Sequence, residues 1–344
     1  MVVRKTAIAL ALMLGWSGTA ASGPALLFDT ASGRVLYAED QDQPWHPASL
    51  TKIMTAYVVF GALKSGAITL EQKIPVSANA HALPPSKLGL PVGAEITVNL
   101  ALKALIIKSA NDSAVMLAEA IGGTEEAFIQ KMNETALRLG MTQTRYVNPH
   151  GLPAPEQVTT ARDLARLTRA VLADYPSYGE LWAMADMQIG RRRLRTHNGL
   201  LRTYEGADGL KTGFICDSGF NVVATATRDN RRLAAVVLGE YTSRDRSLRA
   251  ASLLEHGFRT YGWKEMFTSA TVDTVPVSAE SSTPRSVREL VASFACNGKR
   301  HARAVPTRRH KKARTKKRPV AEAAARATKR VENGGSSTSA GKGD

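Results

Sequence analysis

The sequence predicts an α/β chain of the α+β type: a largely antiparallel sheet with a helical cluster inserted between its N-terminal and C-terminal strands. Three observations predict it. Short runs of strand-type residues stand at both ends of the body, at 25–28 and 34–38 and again at 210–214, 221–228 and 232–240. Between them lie apolar segments of helical length with glycine stops. Hydrophobic residues make up 44% of the 344, enough for a large core and incompatible with a wholly disordered chain.

In chain order, residues 1–23 read as a secretory signal. Arg4 and Lys5 precede the apolar run 6–16, which is too short to span a bilayer, and small residues follow, with cleavage after Ala20, Ala21 or Ser22. The first two strands flank the turn Asp29-Thr30-Ala31-Ser32-Gly33. Residues 49–63 form a helix that is apolar on nearly every side, the mark of a segment buried in a larger domain. Two more apolar helices, 100–107 and 114–121, are broken near Ser109-Ala110-Asn111-Asp112. Thr124 can cap a helix to Leu139, with Glu125 and Glu126 in its first turn, and Thr160 or Ala161 opens another. Asp229-Asn230 is a tight-turn signal between the last two strands, and a closing helix covers 244–259. The domain therefore spans 24–262. Residues 263–298 read as a linker with a short amphipathic segment, in which Val287, Leu290, Val291 and Phe294 are apolar. Residues 299–344 read as a basic disordered tail.

The charge is uneven. Residues 299–330 hold 14 Lys and Arg against one acid, Glu322, a net +13; residues 1–298 carry only +4 of the chain's +16. The high basicity belongs to the tail, so the body gives no support to a nucleic-acid-binding protein. No run of 18 apolar residues occurs, so no ordinary spanning helix is expected. The two cysteines exclude a disulfide-rich scaffold and a four-cysteine metal site. Cys216 and Cys296 could pair in an exported protein, tying the start of the tail to the domain, or remain two thiols.

The chemistry is carried by three short motifs. Ser49-x-x-Lys52 opens the buried helix, and residues three apart share a helix face, so the amine can reach the hydroxyl. A serine hydroxyl needs a base to become a nucleophile, and a lysine serves when burial and nearby positive charge hold it neutral. Ser109-x-Asn111 sits in the break between helices; Lys211-Thr212-Gly213 lies in a strand, where glycine admits a ligand's backbone. Each pattern alone is weak. In this order, spaced by 60 and 102 residues, they form the set found in penicillin-binding proteins and class A β-lactamases.

With its surrounding segments, the chain resembles the serine D-alanyl-D-alanine carboxypeptidases, low-molecular-mass penicillin-binding proteins of peptidase family S11, over about residues 24–262. The likeness includes Pro47-Ala48-Ser49-Leu50-Thr51-Lys52-Ile53-Met54-Thr55, Asn148-Pro149-His150-Gly151-Leu152, Asn198-Gly199-Leu200-Leu201 and Asp208-Gly209-Leu210-Lys211-Thr212-Gly213-Phe214. The resemblance implies a β-lactamase/transpeptidase-like fold, no cofactor or metal, peptidoglycan stem peptides as substrate and β-lactams as covalent inhibitors. It implies Ser49 as nucleophile, Lys52 as general base and Ser109 as proton relay to the leaving D-alanine. Asn111 would bond the substrate peptide, Lys211 would stabilise charge near Ser109, and Thr212 and Arg246 would hold the terminal carboxylate. The backbone N–H groups of Ser49 and Phe214 would form the oxyanion hole beside Gly213. His150 is read as satisfied within its loop or acting behind the site. Phe214 stands where some relatives carry histidine, and the basic tail stands where the best-known members carry a β-domain and an anchor helix. An exported enzyme in the periplasm or envelope follows, held loosely to an anionic membrane or envelope surface by its tail.

Two other readings compete with this one. Class A β-lactamases share the trio but deacylate with a glutamate in an E-x-x-L-N pattern; Glu180 here is followed by Leu181-Trp182-Ala183-Met184. A non-enzymatic envelope- or nucleic-acid-binding protein working through the tail is opposed by the export signal and the intact trio.

Overall fold

A computed structural model describes residues 23–267, 269–278 and 283–296; the signal segment and the basic tail lie outside them. Strands β1 (Ala25–Asp29) and β2 (Val35–Glu39) pair first. Helix α1 (Thr51–Lys64) follows a 3-10 turn over Ala48–Leu50. Next come β3 (Lys73–Pro75), α2 (Ala78–Ala82), β4 (Glu95–Thr97) and α3 (Val98–Lys103). A π-turn over Ala104–Lys108 leads into α4 (Asn111–Gly122), α5 (Glu125–Arg138) and α6 (Ala161–Asp174). After α7 (Gly179–Ala183), the hairpin β5 (Asp186–Ile189) and β6 (Arg192–Arg195), and α8 (Leu200–Thr203), the chain returns to the sheet. It does so as β7 (Ala207–Ile215), β8 (Gly219–Arg228) and β9 (Arg231–Glu240), closing with α9 (Ser243–Phe267) and α10 (Arg288–Val291).

The main sheet is antiparallel, in the order β2-β1-β9-β8-β7. The N-terminal pair and the C-terminal three strands thus form one sheet, and the helices are the insertion, as the sequence pattern predicts. Alternate residues of each strand point to opposite faces, and both faces are covered. Ala234, Val236 and Leu238 join the core shared with α1, α4 and α6, whereas Leu233, Ala235 and Val237 join Ala250 and Leu254 of α9. This double burial explains why β9 reads as a continuous apolar run. Thr124 and Thr160 cap α5 and α6, accepting from the backbone N–H groups of Ala127 and Asp163.

Three readings shift. Helix α4 begins at Asn111, so Asn111 and Asp112 form its first turn and are not part of the break. The small hairpins β3–β4 and β5–β6 carried too few apolar residues to be seen. The segment read as a linker packs on the domain instead. Val272 and Val291 are fully buried. Arg162, buried and paired with Asp42, donates to the carbonyls of Val272, Val275 and Pro276. Arg288 grips Asp217 with two bonds of 2.7 Å. Cys216 and Cys296 form a disulfide, their Cα atoms 5.9 Å apart, within the normal span. Leu290 stays 52% exposed, whereas Val287 and Val291 of the amphipathic segment are buried.

Candidate active site

The nucleophile candidate sits where three segments meet. Ser49 lies in the 3-10 turn that feeds α1, after Ala48, whose φ of +48° is strained for a residue with a Cβ. Two glycines let the turn sit there. A Cβ on Gly213 would lie 2.9 Å from the Pro47 carbonyl and 3.0 Å from the Ser49 nitrogen, and one on Gly151 would strike the Ala48 carbonyl. Strand β7 therefore runs directly beside the Ser49 backbone.

Lys52 is fully buried on the first turn of α1. Its amine donates to Ser49 Oγ at 3.0 Å, to Asn111 Oδ1 at 2.8 Å and to the His150 carbonyl. Burial holds its pKa well below the ordinary lysine range, and the charge of Lys211 pushes the same way, against the opposing pull of Asp112. Lys211, buried on β7, donates to Ser109 Oγ at 2.8 Å. Burial, aided by Arg246, brings its pKa down to about 7. Ser109 ends the π-turn in the left-handed region, φ +60°, which turns its hydroxyl toward Lys211 and starts α4 two residues on. The two lysines thus lie beneath the site, each bonded to one serine.

Above them is a cleft of about 630 Å³ whose lining includes Ser49, Ser109, Asn111, Thr212, Gly213 and Arg246. Each predicted motif reaches this one place, and no Asp or Glu is among the described residues that line it. Glu180 is exposed on α7 and does not line it. Arg246, on the first turn of α9, is only 6% exposed. It donates weakly to the His197 carbonyl at 3.3 Å, while its Nε has no partner among the described residues. A buried guanidinium so poorly satisfied is a ready anion site; burial lowers its pKa to about 10. Asn111 Nδ2 donates to the Pro84 carbonyl, so both ends of this amide already have partners.

The sequence pattern missed part of the support. Lys52 is met by the backbone carbonyl of His150, which no side-chain motif reveals. Asn148 Oδ1 accepts from the N–H of Gly151 at 2.7 Å and from Gln157 Nε2, and Gln157 Oε1 accepts from the N–H of Val147 and Asn148. This net fixes the loop that presents the carbonyl. The His150 ring accepts from the Leu152 N–H through Nδ1, placing its proton on Nε2. Burial and the nearby Lys52 push its pKa down to about 3, so the ring is neutral. His197 also lines the cleft, its pKa lowered to about 4 by burial, Lys211, Lys108 and Arg246. Its place beside Asn198-Gly199 was the available signal.

A family model for D-alanyl-D-alanine carboxypeptidases matches residues 15–242. The chain is 39% identical over 243 residues to D-alanyl-D-alanine carboxypeptidase DacC of Escherichia coli, covering 69% of this chain and 61% of the relative. Among solved structures it is similar to penicillin binding protein 5 of Haemophilus influenzae, 34% identical at a TM-score of 0.67, covering 69% of this chain and 71% of that one. It is also similar to penicillin-binding protein D2 of Listeria monocytogenes in an ampicillin-bound form, 28% identical at 0.64, covering 69% and 97%. The chain spans about three fifths of the length of the first curated relatives it matches. Among the described residues no helix is long and apolar enough to cross a membrane.

Proposed function

The chain belongs to the D-alanyl-D-alanine carboxypeptidase family of serine peptidases, S11, and from that membership we propose that it removes the terminal D-alanine from peptidoglycan stem pentapeptides through an acyl-enzyme on Ser49, and that penicillins acylate the same oxygen. The carrying observation is the buried Lys52 amine 3.0 Å from Ser49 Oγ. Neutral Lys52 takes the hydroxyl proton as Ser49 attacks the carbonyl between the two D-alanines. The oxyanion falls to the N–H groups of Ser49 and of Phe214, the neighbour of Gly213, whose Cα side packs against the Ser49 nitrogen. Ser109, polarised by Lys211, passes a proton to the leaving amine. Thr212 and the unsatisfied guanidinium of Arg246 take the terminal carboxylate. Strand β7 is the sheet's edge, so its outer side offers the substrate backbone a strand to pair with. Asn111 orients Lys52 and borders the bound peptide. Water then releases the product acid.

Incubation with labelled penicillin should modify Ser49, and a peptide ending in D-Ala-D-Ala should lose D-alanine; Ser49→Ala should abolish both, and a residual rate within tenfold of wild type would sink the assignment. We also propose export to the periplasm, with the +13 tail drawing the enzyme to anionic envelope surfaces by charge. Salt-sensitive sedimentation with anionic vesicles, lost on truncation at Gly298, tests this; equal pelleting of both forms would refute it.

A further inference from the structure

The hairpin β5–β6 and the turn of helix after it are strongly basic. Residues 186–202 hold five arginines, Arg191, Arg192, Arg193, Arg195 and Arg202, against one acid, Asp186, a net +4. All five arginines are exposed. Met187 faces Leu194 across the ladder and both are buried, so the opposite face, with Arg193 and Arg195, turns to solvent. Arg191 and Arg192 stand at the turn. Arg193 donates to Asp186 at 2.7 Å. That bond and the charges of Arg193, Arg195 and Arg202 hold the Asp186 carboxyl below the usual carboxylate range, so Arg202 of α8 shares the same field. Among the described residues, Arg191, Arg192, Arg195 and Arg202 form no ion pair.

This face adjoins the cleft. Strand β6 ends at Arg195, and the Thr196 N–H donates to the Ala185 carbonyl, closing the hairpin. Two residues past Arg195, His197 lines the cleft, and its carbonyl accepts from Arg246. Two extended residues span about 7 Å, less than a Debye length at physiological salt. A partner seated on the arginines therefore lies within reach of a chain whose end is in the cleft. Guanidinium forks match carboxylates and phosphates. The exposed large apolar side chains, Val92, Leu137, Leu248, Val277 and Leu290, all lie elsewhere, so among the described residues the hairpin has nothing to insert into a bilayer. A polymer that repeats a carboxylate suits the face better, and every uncrosslinked stem on a peptidoglycan strand ends in one.

Building on the carboxypeptidase reading, we propose that the β5–β6 hairpin with Arg202 is an exosite for the carboxylates of further stem peptides on the same peptidoglycan strand, so that the enzyme prefers a polymeric substrate to a lone peptide. With one stem in the cleft, its neighbours stand at high local concentration beside the arginines. Each contact lengthens the enzyme's stay on the strand.

The test compares D-alanine release by the full chain from soluble glycan strands bearing pentapeptide stems and from a single N-acetylated peptide ending in D-Ala-D-Ala. The readout is the ratio of the two kcat/KM values, taken per stem. In the combined variant Arg191→Gln, Arg192→Gln, Arg195→Gln and Arg202→Gln, the ratio at low salt should fall about tenfold, the joint effect of four exposed charge pairs. The difference between the two proteins should vanish at high salt. Arg193 is kept because it ties the hairpin to Asp186. The basic tail is present in both proteins, so the comparison isolates the hairpin. Should the combined variant fail to fold, Arg191→Gln with Arg192→Gln, confined to the turn, should lower the ratio about threefold. An unchanged ratio, a difference that persists at high salt, or equal losses on polymer and single peptide would overturn the exosite. So would a variant that keeps the ratio but pellets less with anionic vesicles, which would assign the arginines to a lipid surface. Turnover of neither substrate by the wild-type enzyme would instead overturn the carboxypeptidase reading beneath it.

Discussion

Replacing Asn111 by aspartate adds a charge and almost no volume. Asn111 Oδ1 accepts from Lys52 Nζ at 2.8 Å with both side chains buried, so the new carboxylate would face the amine at that distance. At an effective dielectric constant of about 20, unit charges 2.8 Å apart attract by about 6 kcal/mol, equivalent to about four pH units on the titration of Lys52. The carboxylate's own desolvation, and its repulsion by the Pro84 carbonyl that Asn111 now donates to, oppose this and leave about two. In the proposed mechanism the base works neutral, so acylation falls as pH drops through the Lys52 pKa. The added anion favours the ammonium and raises that pKa, moving the acid limb of the rate profile upward by about two pH units. On the acid limb, below the Lys52 pKa of the wild type, acylation should fall about a hundredfold and recover as the medium is made alkaline. Asn111→Ala adds no charge and should slow acylation without the upward displacement. The assay is the second-order rate constant for acylation by a labelled penicillin, measured from acid to alkaline pH. An Asn111→Asp profile superimposed on that of the wild type would show that Lys52 is not the titrating base.

Arg246→Gln should cut kcat/KM about a hundredfold for a peptide with a free terminal carboxylate, the worth of a buried charge-assisted bond, and leave the C-terminal amide analogue unchanged; equal losses on both would remove its carboxylate role. Thiol titration of the native protein should find no free group, and the double variant Cys216→Ser with Cys296→Ser should lose about 2–4 kcal/mol, a fall of about 5–15 °C in Tm; an unchanged Tm would show that the bridge holds nothing. His150 is neutral in the fold with a pKa of about 3 against an ordinary 6.5. Its share of stability is therefore complete above pH 6.5 and declines by roughly 1.4 kcal/mol per pH unit as the medium is acidified from pH 6.5 toward the folded-state pKa of about 3. Denaturant titrations between pH 7 and pH 4 check this, and His150→Asn should flatten the slope.

The sheet with its helical insertion was legible because its signals are periodic. Strands buried on both faces read as apolar runs, and α1 has no polar side because it is enclosed. The trio was legible because its residues carry reactive side chains at recognisable spacings. What escaped detection acts through backbone or through pairing. The His150 carbonyl is an acceptor any residue could supply, and its direction depends on the amides of Asn148 and Gln157. The packed segment after α9 looked like a linker because it is rich in Ser, Thr and Pro. It is held by Arg162 and Asp42, more than a hundred residues away, and by a disulfide across 80 residues. Such long-range polar ties leave no local period. The pairing of Cys216 with Cys296 was open in the sequence because two thiols do not encode their separation in space.

The five-stranded sheet has two edges, and edges of this kind invite other chains to pair with them. At the β2 edge, Val35 donates to the Ala270 carbonyl and Val272 to that of Gly33, so the segment after α9 occupies the beginning of the strand. The β7 edge is nine residues long, and it borders the cleft. Ser86, Ser109 and His197 line the same cleft, so this part of the edge lies in a recess, where a single extended chain fits more readily than the flank of a second sheet. Residues that border the proposed substrate site therefore also cover an exposed strand edge, and truncating them to admit bulkier peptides should raise the tendency to aggregate.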